Sequence, residues 1–134
     1  MAKKLNYTYM GGKRKTSSAR VRLFHGKGES TVNGKPIAEF FPGEVNKTQW
    51  EKPFGLTETT GKYYITARVV GGGVRSQLKA IVLGIARAMS KANPEKFRPL
   101  LKKGGLLSRD SRERQRRMVG KGGKSRRQKQ SPKR

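Results

Sequence analysis

The chain contains no cysteine in its 134 residues. Disulfide scaffolds, zinc knuckles, thiolate metal sites and cysteine nucleophiles are therefore excluded. A single histidine, His25, leaves neither a histidine metal cluster nor a Cys/His dyad to assemble. It sits between a strand end and Gly26-Lys27-Gly28, with no carboxylate spaced to orient it, and reads as a surface residue. Acids are scarce: the eight Asp and Glu are scattered without a paired-carboxylate spacing, so acid/base hydrolysis has no candidate. The chain is expected not to be an enzyme and to need no cofactor or metal. Long apolar runs are also missing. No segment approaches the roughly 20 apolar residues of a membrane span, and Met1 to Asn6 do not lead into a signal-peptide core. Hydrophobic residues make up 32%, too few for a packed interior along the whole length but enough for a modest core.

What is present is positive charge. Lys and Arg number 33, for a formal net charge of +25. Such a chain repels itself until a polyanion neutralises it, which points to an intracellular polyanion binder. The distribution is uneven. Residues 1–28 carry eight basic groups and no acid, and residues 29–70 carry five of each. Residues 71–104 are +7 and residues 105–134 are +10. After Leu106 and Leu107 only Met118 and Val119 are large and apolar. That last block buries too little to offset its ordering entropy. The expectation is a globular RNA-binding domain over 1–104, with a boundary near Lys103-Gly104-Gly105. A basic tail over 105–134 follows, disordered when free and ordered on RNA.

The domain reads as mixed α/β. Leu5, Tyr7 and Tyr9 alternate with polar neighbours, as do Ala19, Val21 and Leu23 with Arg20 and Arg22. Both patterns are half-buried strands, the second presenting Arg20 and Arg22 together on its outer face. Ser30-Thr31-Val32 runs into Asn33-Gly34, a favoured type I′ hairpin pair, with Lys35-Pro36-Ile37 returning. Phe40 to Trp50 reads as short amphipathic turns broken by Pro42-Gly43. Tyr63 to Val70, rich in β-branched and aromatic residues, is the strongest strand signal. After Gly71-Gly72-Gly73, the residues Val74, Leu78, Ile81, Val82, Ile85 and Met89 make an unbroken helical stripe. Arg75, Lys79, Arg87 and Lys91 lie away from it. Asn93-Pro94 ends that helix and starts a shorter one as N-cap and first-turn proline. Phe97, Leu100 and Leu101 form its apolar face, and Pro99 should kink it or delay its start. The expected core is Val21, Leu23, Ile65, Val69, Leu78, Ile81, Val82 and Ile85.

Three segments carry the binding chemistry. In Lys13-Arg14-Lys15-Thr16-Ser17-Ser18, followed by Arg20 and Arg22, a basic cluster joins three hydroxyls and a strand. Guanidinium forks and hydroxyls suit phosphate oxygens, and no acid is nearby to pair with them. The triple glycine before Arg75 lacks the Gly-Lys-Ser/Thr of a phosphate loop, and Ser76 breaks a dinucleotide fingerprint. It reads as a tight turn or as a turn over which Arg75 meets an RNA backbone. The third segment is the tail: Arg109, Arg112, Arg114, Arg116, Arg117, Lys121, Lys124, Arg126, Arg127, Lys129, Lys133 and Arg134. Its glycines at 120, 122 and 123 let backbone pass close to RNA. Trp50, near Pro53 and Phe54, reads as a cover for a small core, or else as a base-stacking platform.

Taken in order, these motifs resemble the universal family of small-subunit ribosomal protein nine, bacterial type. The resemblance rests on Lys13 to Val21, on Val32-Asn33-Gly34-Lys35-Pro36-Ile37 with Phe40-Phe41, and on Gly71-Gly72-Gly73 followed by Gln77, Ala80 and Gly84 to Ala88. Leu100 to Asp110 and the terminal Lys133-Arg134 complete it. The chain departs from the family pattern at Ser76, Met89, Pro99 and Pro132. The resemblance implies a two-layer α+β sandwich: a mixed sheet of about four strands, two helices on one face, and a long extended basic C-terminal tail. It also implies a place in the head of the small subunit, in the cytoplasm or an organelle. The partners would be the 3′ head domain of small-subunit ribosomal RNA and neighbouring head proteins, with no membrane. Lys133 and Arg134 would contact the peptidyl-site transfer RNA.

Composition alone also admits a free RNA chaperone or a DNA-compacting protein. Such architectural proteins dimerise or insert apolar wedges, and neither heptads nor a tail wedge is visible. A membrane-surface helix needs bulky apolar residues on a basic helix, which the tail lacks.

Overall fold

The computed structural model describes residues 7–113 and Gln115. Along the chain it forms β1 (Tyr7–Arg14), β2 (Ser17–His25), β3 (Thr31–Val32), β4 (Lys35–Pro36), α1 (Ile37–Phe40), α2 (Glu44–Leu56), β5 (Tyr63–Val70), α3 (Val74–Ala92) and α4 (Pro94–Lys103). One five-stranded sheet has the order β1-β2-β5-β3-β4. Its three long strands are antiparallel neighbours, and β3 runs parallel to β5. The α+β class is therefore what forms, with α3 laid against the sheet and α2 and α4 packed on α3. One short strand and the helices α1 and α2 come in addition to the expectation.

The alternation along β2 decides which face is packed. Ala19, Val21 and Leu23 are buried while Ser18, Arg20 and Arg22 are exposed. On β5, Ile65, Ala67 and Val69 face the same way. Against them lies α3, whose Leu78, Ile81, Ile85 and Met89 are fully buried. The expected core holds except that Val82 is only partly buried. Val74, expected in the stripe, is 53% exposed because it stands one turn before Leu78, the first fully packed residue of the helix. Ala80, Ala86 and Ala88 are buried as well, since α3 has the sheet on one side and α2 and α4 on others.

β1 is turned over relative to its alternation pattern. The register Tyr9↔Arg22 and Met10↔Val21 puts Tyr7 and Tyr9 on the open face, and Thr8, Met10 and Gly12 on the packed one. The cause is the closeness of α3. A Cβ built on Gly12 would lie 2.0 Å from the Ala80 carbonyl oxygen and 2.7 Å from the Gly84 nitrogen. The packed side of β1 therefore needs a residue without a side chain, which apolar periodicity cannot register. Leu5 lies outside the described residues.

The Asn33-Gly34 hairpin forms as expected, with φ of 52° and 82°, the positive pair a type I′ turn demands. Asn33 also receives Val69 N–H at 2.9 Å and donates to the Val69 carbonyl at 3.0 Å, fastening the hairpin to β5. Ile37, expected in the returning strand, instead opens α1. The stretch expected as broken turns is the 13-residue α2. It is polar on most sides, begins on Gly43 without a side-chain cap, and contains Pro53, so it lacks the usual helix signals. Its end is held by tertiary structure: the Thr57 hydroxyl donates to the Pro53 carbonyl at 2.9 Å and meets the Thr59 hydroxyl at 2.8 Å, both buried.

α4 starts where the sequence indicates. Asn93 Oδ1 accepts from Lys96 N–H at 3.3 Å, and Pro94 occupies the first turn. The helix does not start late at Pro99 but runs through it to Lys103. Pro99 removes only the N–H that would reach Glu95, while Phe97 and Leu101 stay anchored in the core. Replacing Asn93 by Ala should lower stability by about 1 kcal/mol, read as a shift in the urea midpoint with unchanged slope. A loss below a few tenths would show that the cap is irrelevant to α4.

Candidate nucleic-acid interface

One end of the sheet gathers most of the basic segments. β1 and β2 join through a two-residue loop, Lys15-Thr16, with Lys15 at φ 52°. Lys13, Lys15, Thr16 and Ser18 are exposed around this tip. Against it lies the glycine turn. Gly71 and Gly72 have φ of 80° and 65°, and Cβ atoms there would meet the Thr16 carbonyl oxygen at 2.5 Å and Ser17 Oγ at 2.0 Å. The triple glycine is thus a tight turn wedged against the hairpin. It starts α3 beside the hairpin tip, with Arg75 exposed in the first turn.

Two residues of the basic segment face inward. Ser17 is fully buried and donates to the Gly71 carbonyl at 3.0 Å, locking the turn. Its hydroxyl is unavailable to a partner. Arg14 is 8% exposed. It donates to the Arg112 carbonyl at 2.5 Å and pairs with Asp110 at 3.4 Å. Asp110 in turn accepts two bonds from the Arg112 guanidinium, at 2.9 and 2.8 Å. That guanidinium and the Arg112 backbone N–H, with smaller help from Arg14, hold the Asp110 carboxyl well below the usual carboxylate range. A depressed carboxyl contributes stability above its ordinary range and loses it only as pH falls through the folded value. The tie is intact across neutral and mildly acidic pH.

This tie moves the root of the tail. Leu106 and Leu107 pack against the core, and Leu106 N–H bonds the Leu101 carbonyl at 3.1 Å. The chain therefore stays attached past Gly105 and is led back to Arg14. Arg109 and Arg112 are exposed at that root. Arg114, Arg116, Arg117, Lys121, Lys124, Arg126, Arg127, Lys129, Lys133 and Arg134 lie outside the described residues.

The open face of the sheet continues from the hairpin tip. Cross-strand register aligns Lys13 with Ser18, Gly11 with Arg20 and Tyr9 with Arg22. It also sets Arg20 opposite Arg68, Arg22 opposite Thr66 and Phe24 opposite Tyr64. Phe24 and Tyr64 stack at 5.0 Å, Tyr7 tilts against Phe24 at 5.5 Å, and the Arg22 guanidinium lies 5.0 Å over the Tyr7 ring. Arg20 and Arg22 are exposed, as the sequence indicates. Arg68, Tyr9 and Thr66 were missed as site residues. The signal was available: Arg68 sits between the inward Ala67 and Val69, so parity alone sends it out beside Arg20.

The remaining surface differs in character. Trp50 is half-buried against the core, in the place of a cover rather than a platform. Among the described residues the ion pairs are those of Asp110 alone, so Lys13, Lys15, Arg20, Arg22, Arg68 and Arg75 carry unneutralised charge. This arrangement suits a polyanion held by forked donors and hydroxyls.

Comparison with known proteins agrees with that chemistry. Residues 12–134 match the family described as Ribosomal protein S9/S16. Two bacterial relatives carry the name Small ribosomal subunit protein uS9. The one from Maridesulfovibrio salexigens is 42% identical over 118 residues, covering 88% of this chain and 90% of the relative. The one from Cutibacterium acnes is 42% identical over 109 residues, covering 81% of this chain. That match spans 63% of the Cutibacterium protein's own length. With a match over nearly its whole length and an open basic face to go with it, the chain belongs to the Ribosomal protein S9/S16 family.

Proposed function

We propose that this chain is a structural constituent of the bacterial small ribosomal subunit and acts by holding RNA rather than by catalysis. It binds the 3′ head domain of small-subunit ribosomal RNA, among neighbouring head proteins, and meets the peptidyl-site transfer RNA with the end of its tail. One observation carries the reading. The hairpin tip, the start of α3, the root of the tail and the open sheet face bring cations together, and among the described residues Asp110 is the one acid that pairs with any of them. Family membership supplies the ribosomal setting, and the names of the relatives supply the small subunit.

Within this reading, the folded part selects the site by shape and by hydroxyl contacts, and the tail adds charge. Lys133 and Arg134 have no core to serve. Arg134 offers a forked donor to transfer RNA phosphate and Lys133 a point charge. Each such contact is worth about 1.5 to 3 kcal/mol at most, and less when exposed to solvent. Deleting both should speed transfer RNA dissociation from the peptidyl site about tenfold, with a normal yield of small subunits. Unchanged dissociation would refute the contact. A collapse in subunit yield would assign the tip to assembly.

A further inference from the structure

The open face of the sheet carries a feature that folding alone does not explain. Arg20 and Arg68 are direct cross-strand partners, and like charges in that position destabilise a sheet. Neither has an ion pair among the described residues, and no Asp or Glu lines the trough formed on this face. The neighbouring Arg22 is held over the Tyr7 ring. Thr66 lies opposite Arg22, and Thr31 lies beside Thr66 on β3, adding two hydroxyls. Next to them Tyr9 is 44% exposed. Tyr7, Phe24 and Tyr64 pack on one another, so among the described residues Tyr9 is the ring on this face left free to take a partner.

We infer that this face is a binding site for an unpaired stretch of RNA, whose phosphates bridge Arg20 and Arg68 and one of whose bases stacks on Tyr9. The inference deepens the reading of the chain as an RNA-binding protein and rests on it. A polyanion converts the Arg20–Arg68 repulsion into a bidentate grip. The exposed ring separates the possible forms of RNA. A paired A-form helix offers a protein its backbone and 2′-hydroxyls, whereas unpaired bases can splay onto an aromatic side chain. Three arginines, two hydroxyls and one free ring on a rigid sheet match the second.

The test uses the full chain and an unstructured RNA oligonucleotide of about 12 residues, with a duplex of the same length as comparator. Arg20→Gln with Arg68→Gln should weaken binding to the single strand on the order of tenfold. The log–log salt slope should fall by about 1.4, or about 0.7 for each lost phosphate contact. Tyr9→Ala should weaken binding about tenfold at unchanged salt slope, and Tyr9→Phe should restore it. The duplex should be indifferent to Tyr9→Ala. Without RNA, the double glutamine variant should melt no lower than the parent, because a repulsion has been removed. Parent-like affinity of the double variant beside a steep parental salt slope would overturn the site and leave the RNA-binding reading standing. Equal sensitivity of duplex and single strand to Tyr9→Ala would overturn the stacked base. A parent chain that binds neither RNA would defeat the underlying reading instead.

Discussion

Gly12→Ala should abolish the folded state or cost about 4 kcal/mol or more, at the far end of what single substitutions do. The new methyl would sit 2.0 Å from the Ala80 carbonyl oxygen and 2.7 Å from the Gly84 nitrogen. Both are backbone atoms of α3, so no side chain can rotate away and the whole helix must shift. Gly84→Ala is milder. Its Cβ would lie 2.6 Å from Val21 Cγ2, inside a fully buried core. Overpacking of that kind costs about 1–3 kcal/mol, offset by nearly 1 from helix propensity. Gly55 is the contrast: a Cβ there meets nothing within 4 Å. Gly55→Ala in α2 should therefore be neutral or stabilise by up to about 1 kcal/mol. Urea unfolding of the three variants checks the ranking Gly12, then Gly84, then Gly55. Near-parental stability of Gly12→Ala would mean that β1 and α3 do not pack this closely.

Removing residues 113–134 should flatten the salt dependence of binding to small-subunit ribosomal RNA. The cut spares Leu106, Leu107 and the Arg14–Asp110–Arg112 tie, so the domain keeps its packing. It removes ten Lys and Arg. With about half of them on phosphates, the log–log slope should fall by roughly 3.5 to 4.5. Between about 50 and 200 mM salt, the advantage of the full chain over the truncated one should shrink on the order of 100-fold. On the proposed reading, in which shape and hydroxyl contacts come from the folded part, site selection should survive. An unchanged slope would remove the tail from the phosphate contacts.

How much of this was legible depends on which physical force sets each element. β2, β5 and α3 are set by burial, and burial leaves a period. Ala19-Val21-Leu23 and the stripe from Leu78 to Met89 therefore stand where alternation and helical spacing put them. The Asn33-Gly34 turn and the Asn93 cap are set by local backbone chemistry and were equally readable. α2 was not, because polar residues, Pro53 and Gly55 obscure a helix held at its end by buried threonines. β1 misled for a different reason. Its packed side is defined by the absence of a side chain at Gly12, so alternation turns Tyr7 and Tyr9 toward the packed side, whereas both lie on the open face. The same pattern holds at the site. Arg20, Arg22 and the hairpin tip follow from charge and parity, whereas the inward turn of Arg14 and Ser17 follows from long-range partners at Asp110, Arg112 and Gly71. No local rule indicates those partners.

The absence of cysteine allows the most direct test of RNA contact at both ends of the chain. A single cysteine introduced at Ser18, beside the hairpin tip, or at Ser131, near Lys133, can carry an iron chelate that cleaves RNA close by. Each labelled chain would be assembled into small subunits with peptidyl-site transfer RNA bound. Cleavage from position 18 should fall in the 3′ head domain of the ribosomal RNA, and cleavage from position 131 in the transfer RNA. Position 18 cutting outside the head domain, or position 131 leaving the transfer RNA intact, would contradict the account.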